Sequence, residues 1–76
     1  MTFERYPDFA NELIEINFYN AKELAKINVG ISKFNEEHFR NYDYDVDMKK
    51  RQVLITVDDY SDYKRLKYLI LTAKTY

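Results

Sequence analysis

Seventy-six residues make one small domain, residues 1–76, with no cysteine, one glycine and one proline; disulfide staples, thiolate chemistry, cysteine-based metal sites and phosphate-cradling glycine loops are excluded. Twelve basic and thirteen acidic side chains leave a net charge of −1, which excludes a global attraction to nucleic acid or anionic lipid. The opening MTFERYPDF carries charges where a secretory segment needs an apolar stretch, and the longest apolar run is Tyr68–Leu71, so a cytoplasmic protein with no membrane contact is expected.

The first element is predicted from PDFANELIEINFYNAKELAKIN. At 100° per residue Asp8, Asn11, Glu12, Glu15, Tyr19, Lys22, Glu23 and Lys26 fall within an arc of roughly 120°, and Phe9, Ala10, Leu13, Ile14, Ile16, Phe18, Ala21, Leu24, Ala25 and Ile27 fill the rest. With Pro7 suited to a first helical position and Gly30 to a stop, one long helix over about 8–28 is the preferred assignment. The alternative makes Leu13–Tyr19 a strand with Ile14, Ile16 and Phe18 inward, and starts a helix at Asn20 with Glu23 closing a capping box. That order, βαββα, resembles a ferredoxin-like fold lacking its last strand. On the long helix Asn17 and Asn20 interrupt the apolar side and are expected to find backbone or cross-dimer partners.

Residues 31–41 (ISKFNEEHFRN) hold at most an extra short helix, with Asn35 as its cap and His38 an ordinary surface residue. From Tyr42 the period becomes two: Tyr42, Tyr44, Val46 and Met48 share one face of a strand, and Val53, Ile55 and Val57 share one face of the next. Pairing 48 with 53, 46 with 55 and 44 with 57 keeps both apolar sets together across a turn at about 49–52. Asp58, Asp59 or Ser61 then caps a final helix to about Lys74, with Tyr63, Leu66, Leu69, Ile70 and Ala73 as its core stripe. The expected fold class is α+β: an N-terminal helix, an antiparallel hairpin and a C-terminal helix (αββα). Two strands are few for independent stability, so an edge-to-edge homodimer is expected to complete a four-stranded sheet.

In NYDYDVD the hairpin register turns Asp43, Asp45 and Asp47 outward. Asp-x-Asp-x-Asp opens like a calcium loop, but the sixth and twelfth positions, Met48 and Leu54, are wrong for one, and no metal or other cofactor is expected. The same register sets Asp43 opposite Asp58, a like-charge pair that costs stability. Outward neighbours on a strand stand about 6.8 Å apart, so the row can follow a basic groove as a phosphate backbone does; the plainer account is an exposed strand kept soluble by charge.

Eight tyrosines are many for this length, and Tyr19, Tyr60 and Tyr68 are expected to face solvent. On the final helix Tyr60, Lys64, Tyr68, Leu71 and Thr75 form a second stripe away from the core. The expected partner surface comprises Asp43, Asp45, Asp47, Asp58, Asp59, Tyr60, Tyr68 and Leu71, docking on a basic protein. Positive charge at the hairpin tip (Lys49, Lys50, Arg51) and on the last helix is read first as a solvated face. The rival is a small nucleic-acid-binding regulator using Lys64, Arg65 and Lys67 with Tyr60 and Tyr68. No nucleophile with a base can be assembled, so catalysis is not expected.

No motif ties the chain to a family residue by residue. In brevity and in its wealth of Asn, Lys, Ile and Tyr it resembles the small inhibitors and regulators encoded by phages and mobile elements of AT-rich bacteria. Some of these, including anti-CRISPR proteins and DNA mimics, offer acidic surfaces to nucleic-acid enzymes, and the resemblance implies a non-enzymatic inhibitor of that kind.

Overall fold

A computed structural model describes residues 1–9 and 11–75. Those residues form four strands and two helices: β1 (Thr2–Asp8), β2 (Asn11–Asn17), α1 (Ala21–His38), β3 (Tyr44–Asp47), β4 (Gln52–Val57) and α2 (Tyr60–Thr72). The sheet is antiparallel throughout, in the order β1-β2-β4-β3. Both helices lie on one face of it.

The fold is α+β as expected, but the N-terminal helix over 8–28 is not formed. Ile14 and Ile16 of β2 and Phe18 just past its end are buried in alternation, as the alternative assignment has it, and pack with Val53, Ile55 and Val57 of β4. Asn20 then caps α1: its Oδ1 accepts from the Glu23 amide at 3.0 Å, while Glu23 Oε1 accepts from the Tyr19 amide at 2.6 Å. Helical periodicity misled because Leu13, apolar, sits on the open face of the sheet, whereas Glu12, charged, is buried. Ala10, assigned to the apolar side of the long helix, lies outside the described residues. From β2 onward the order is βαββα. The strand β1 was foreseen in neither assignment, and it places Pro7 on an edge strand, where proline is tolerated.

Gly30 is not a helix stop. It sits in the middle of α1 against α2, where a Cβ would stand 2.6 Å from Ile70 Cα and 2.8 Å from Ile70 N. The single glycine lets two helix backbones cross in near contact, and α1 therefore continues through the segment read as irregular. Asn35, expected as a cap, is interior to α1; its side chain donates to Tyr42 O and accepts from Tyr42 N, both at 3.1 Å, and so fixes the chain's return to β3. The helix ends at Phe39, whose φ of 54° is left-handed, with the Arg40 amide donating to Asn35 O at 3.0 Å in the manner of a Schellman closure.

The hairpin forms with the expected parity and a register two residues away: Tyr44 pairs with Ile55, Val46 with Val53 and Asp47 with Gln52. Asp43 consequently does not face Asp58; it precedes β3 and is exposed. The shift follows from the turn, where Asp47 Oδ1 accepts from the Lys49 and Lys50 amides and Arg51 takes a φ of 53°. The Asp59 side chain accepts from the Asp62 amide at 2.8 Å and caps α2. From α2 the core takes Tyr63, Leu66 and Ile70, with Leu69 partly covered. The four-stranded sheet expected of a dimer is built within one chain, which removes the stability argument for a second copy.

Candidate functional site

Alternation along each strand and direct pairing between strands fix which side chains share the open face. Those of β2 are Asn11, Leu13, Glu15 and Asn17; opposite them β1 sets Asp8, Tyr6, Glu4 and Thr2. β4 contributes Gln52, Leu54 and Thr56, and β3 contributes Asp45 and Asp47. Among the described residues the ionisable groups of this face, the Tyr6 phenol apart, are five carboxylates: Glu4, Asp8, Glu15, Asp45 and Asp47. Among the described strand residues no lysine, arginine or histidine shares it. Asp43 is exposed just ahead of β3, and Tyr6, Leu13 and Leu54 give the face an apolar centre.

Two of these carboxylates are directly opposed. Glu4 pairs with Glu15 across β1 and β2, a like-charge arrangement that the expected Asp43–Asp58 pair only resembled. Each is served by a neutral donor: Tyr6 Oη donates to Glu4 at 2.6 Å, and Gln52 Nε2 to Glu15 at 2.5 Å. The hydrogen bond to Glu4, partial desolvation and the Glu15 charge push the Tyr6 phenol up to about 12. Asn17, placed by expectation on a helix face, receives a longer contact from Gln52 at 3.4 Å on this same surface.

The expected partner surface is divided by the sheet. Asp45 and Asp47 lie on the open face; Asp58 and Asp59 are exposed at the end where β4 passes into α2. Tyr60, Tyr68 and Leu71 belong to the helical layer on the other side, in a groove of about 490 Å³ that they line with Arg5, Lys64 and Lys67. Arg65 lines a neighbouring groove with Glu37, His38 and Leu69, and Lys64 and Tyr68 border both grooves. Of the three residues of the nucleic-acid alternative, Lys64 and Lys67 share the first groove, and Arg65 meets Lys64 in the second.

Sequence reasoning missed Arg5 and Glu12. Glu12, 7% exposed, has its Oε2 at 2.8 Å from Arg5 Nε and away from the N–H direction. The pairing holds the Arg5 guanidinium over the Tyr60 ring, 4.4 Å from its centroid. Alternating Arg5 and Glu12 with apolar neighbours is a weak strand signal, and only their diagonal placement across β1 and β2, where Arg5 pairs with Ile14 and Glu12 with Pro7, brings them together.

A third polar group is structural. Asp62, 7% exposed, accepts from Arg40 Nε at 3.1 Å and from Tyr42 Oη at 2.5 Å, while Tyr42 Oη accepts from the Asp58 amide. Burial works to raise the Asp62 carboxyl, but hydrogen bonds from Tyr42 and Arg40, with the Arg40 charge, hold it below the usual aspartate value. Desolvation and the bond to Asp62 push the Tyr42 phenol up to about 12. The cluster ties the α1–β3 connection to the first turn of α2. Among the described residues no three His, Asp or Glu side chains converge as a metal shell requires, and no helix is long and apolar enough to cross a membrane.

Comparison of the chain with protein-family models, curated proteins and solved structures returned no match.

Proposed function

We propose that the protein is a non-enzymatic binding module that docks the open face of its sheet on a basic surface of a nucleic-acid-binding protein, as a small inhibitor of the DNA-mimic or anti-CRISPR style. One observation carries this: the charges on that face are all negative, although the whole chain is almost neutral. Segregation of this kind is not required by folding. Opposed Glu4 and Glu15 cost stability, whereas a partner's lysines and arginines would make the same pair favourable. Successive outward carboxylates on one strand are about 6.8 Å apart, and strands are about 4.8 Å apart, so the face presents a grid of negative charge to a surface shaped for phosphates. Tyr6, Leu13 and Leu54 supply the aromatic and aliphatic centre that protein interfaces use.

The test is affinity capture of nucleic-acid-binding proteins from a nuclease-treated lysate, using the wild type and a variant with Asp43→Asn, Asp45→Asn and Asp47→Asn. Asparagine preserves the Asp47 turn contacts, so the variant is expected to melt at the same or a higher temperature. Capture should fall at least tenfold, and added duplex DNA should displace what the wild type captures. Equal capture by both proteins would remove the proposal.

A further inference from the structure

We infer a second binding site on the opposite side of the molecule: the groove between β1 and α2 takes a single strand of nucleic acid, with its phosphates on Lys64 and Lys67 and a base stacked on Tyr68. This site goes beyond the acidic face and shares no residue with it.

The two lysines of the groove are met by aromatic rings and, like the other described lysines, are in no salt bridge. Among the described residues neither Lys64 nor Lys67 has a carboxylate within 4.0 Å; the Lys64 ammonium lies 5.6 Å from the Tyr60 ring centroid and that of Lys67 5.3 Å from the Phe3 ring. Arg5, the third cation, is already neutralised by buried Glu12 and is held against Tyr60. The groove therefore keeps two positive charges for a ligand and carries no acidic residue in its lining. Lys64 and Lys67 are three apart on α2, so their stems rise about 5–6 Å from one another, close to the spacing of successive phosphates along a single strand.

Aromatic surface completes the site. Tyr68 is 66% exposed, stacks on no other aromatic ring among the described residues, and shares the groove with Lys64 and Lys67. Cations that follow a backbone beside a free aromatic face are what sequence-tolerant single-strand binding requires. A volume of about 490 Å³ lies within the range of small-molecule sites. The cations line a concavity and do not stand on a ridge, which suits an unstacked strand better than a duplex. An acidic peptide would satisfy the lysines and leave Tyr68 without a stacking partner.

The experiment is a fluorescence-anisotropy titration of a short labelled oligothymidylate at about 50 and 200 mM salt. The wild type is expected to bind at the lower salt, with affinity falling as the power of salt concentration expected for two phosphate contacts, about −1.4. Tyr68→Ala should weaken binding roughly 5- to 150-fold and leave that slope unchanged. The double variant Lys64→Gln, Lys67→Gln should flatten the slope. These side chains are exposed or half-buried, and unchanged circular-dichroism melts confirm that the variants fold. Asp45→Asn should not weaken oligonucleotide binding, so failure of this site and failure of the acidic face are separable. Absence of binding at low salt overturns the inference, as does equal affinity for a polyglutamate peptide, tighter binding of a duplex, or a Tyr68→Ala variant that binds like the wild type.

Discussion

Glu4 and Glu15 stand directly opposite one another on adjacent strands of the exposed sheet face, with Tyr6 donating to the first and Gln52 to the second. Two facing carboxylates on a solvated sheet lose roughly 0.2–1 kcal/mol relative to a neutral pair. Glu15→Gln is therefore expected to raise the stability measured by urea unfolding at low salt, by a few tenths of a kcal/mol. The gain should shrink as salt screens the wild-type repulsion. A variant no more stable than wild type at any ionic strength would show that the two neutral donors already cancel the repulsion.

Gly30 against Ile70 sets two effects in opposition. Alanine is the better helix former by about 1 kcal/mol, but its Cβ would fall within 2.6 Å of backbone that cannot rotate away. Overpacking of that kind typically costs 1–3 kcal/mol, and forcing two helices apart lies at the upper end. Gly30→Ala is expected to lower stability by about 2 kcal/mol net. An unchanged or higher melting temperature would contradict the close crossing.

Phe39 and Phe9 occupy left-handed backbone with their rings in water. Phe39 is 92% exposed at a φ of 54°, in the helix-terminal position where glycine is usual. No packing is lost on truncation, so Phe39→Gly should stabilise the fold by about 1 kcal/mol through relief of the Cβ clash. Differential scanning calorimetry reads this directly, and a lower melting temperature would mean that the ring packs after all.

Ultraviolet titration distinguishes the tyrosines. Tyr6 and Tyr42 are both pushed up to about 12. Absorbance near 295 nm should show ionisation close to pH 12 that is reduced by Tyr6→Phe and again by Tyr42→Phe. Because each phenol's pKa is raised in the folded protein, its contribution is complete below pH 10 and is lost as pH climbs towards 12. Ionisation of either group at the ordinary tyrosine value would break the hydrogen bonds described.

Asp62 has the opposite sign. Its folded pKa lies below the usual 3.8, so the stability it adds is present above that value and disappears as pH falls through the lower folded one. Asp62→Asn is expected to cost about 2 kcal/mol at neutral pH, the worth of hydrogen bonds to a charged group. The cost should shrink as pH falls below the usual aspartate value and through the lower folded one. A pH-independent difference between the two proteins would show that the charge on Asp62 is immaterial.

Much of the chain was legible where one short-range pattern dominates. The outward row at 45 and 47, the Asn20–Glu23 capping box and the Tyr60, Lys64, Tyr68, Leu71 stripe all rest on spacing within one element. Elements set by partners elsewhere were not. Nothing in TFERYPD announces a strand, because β1 is an edge with its inner side barely covered and needs no run of apolar residues. The acidic face followed from that strand: Glu4 and Asp8 join Glu15 only once β1 has paired with β2. Likewise Gly30 ends a helix by local preference, and only the approach of Ile70 explains it inside one.

The same glycine shapes the molecule beyond its own contact. The helix that Gly30 draws against α1 also reaches the edge strand: the Tyr60 ring lies over Arg5, and the Lys67 ammonium lies beside Phe3. Those contacts bound the groove between β1 and α2. A side chain at position 30 would push α2 away from its seat, and a fold that gained helical propensity would forfeit the shape of its recess.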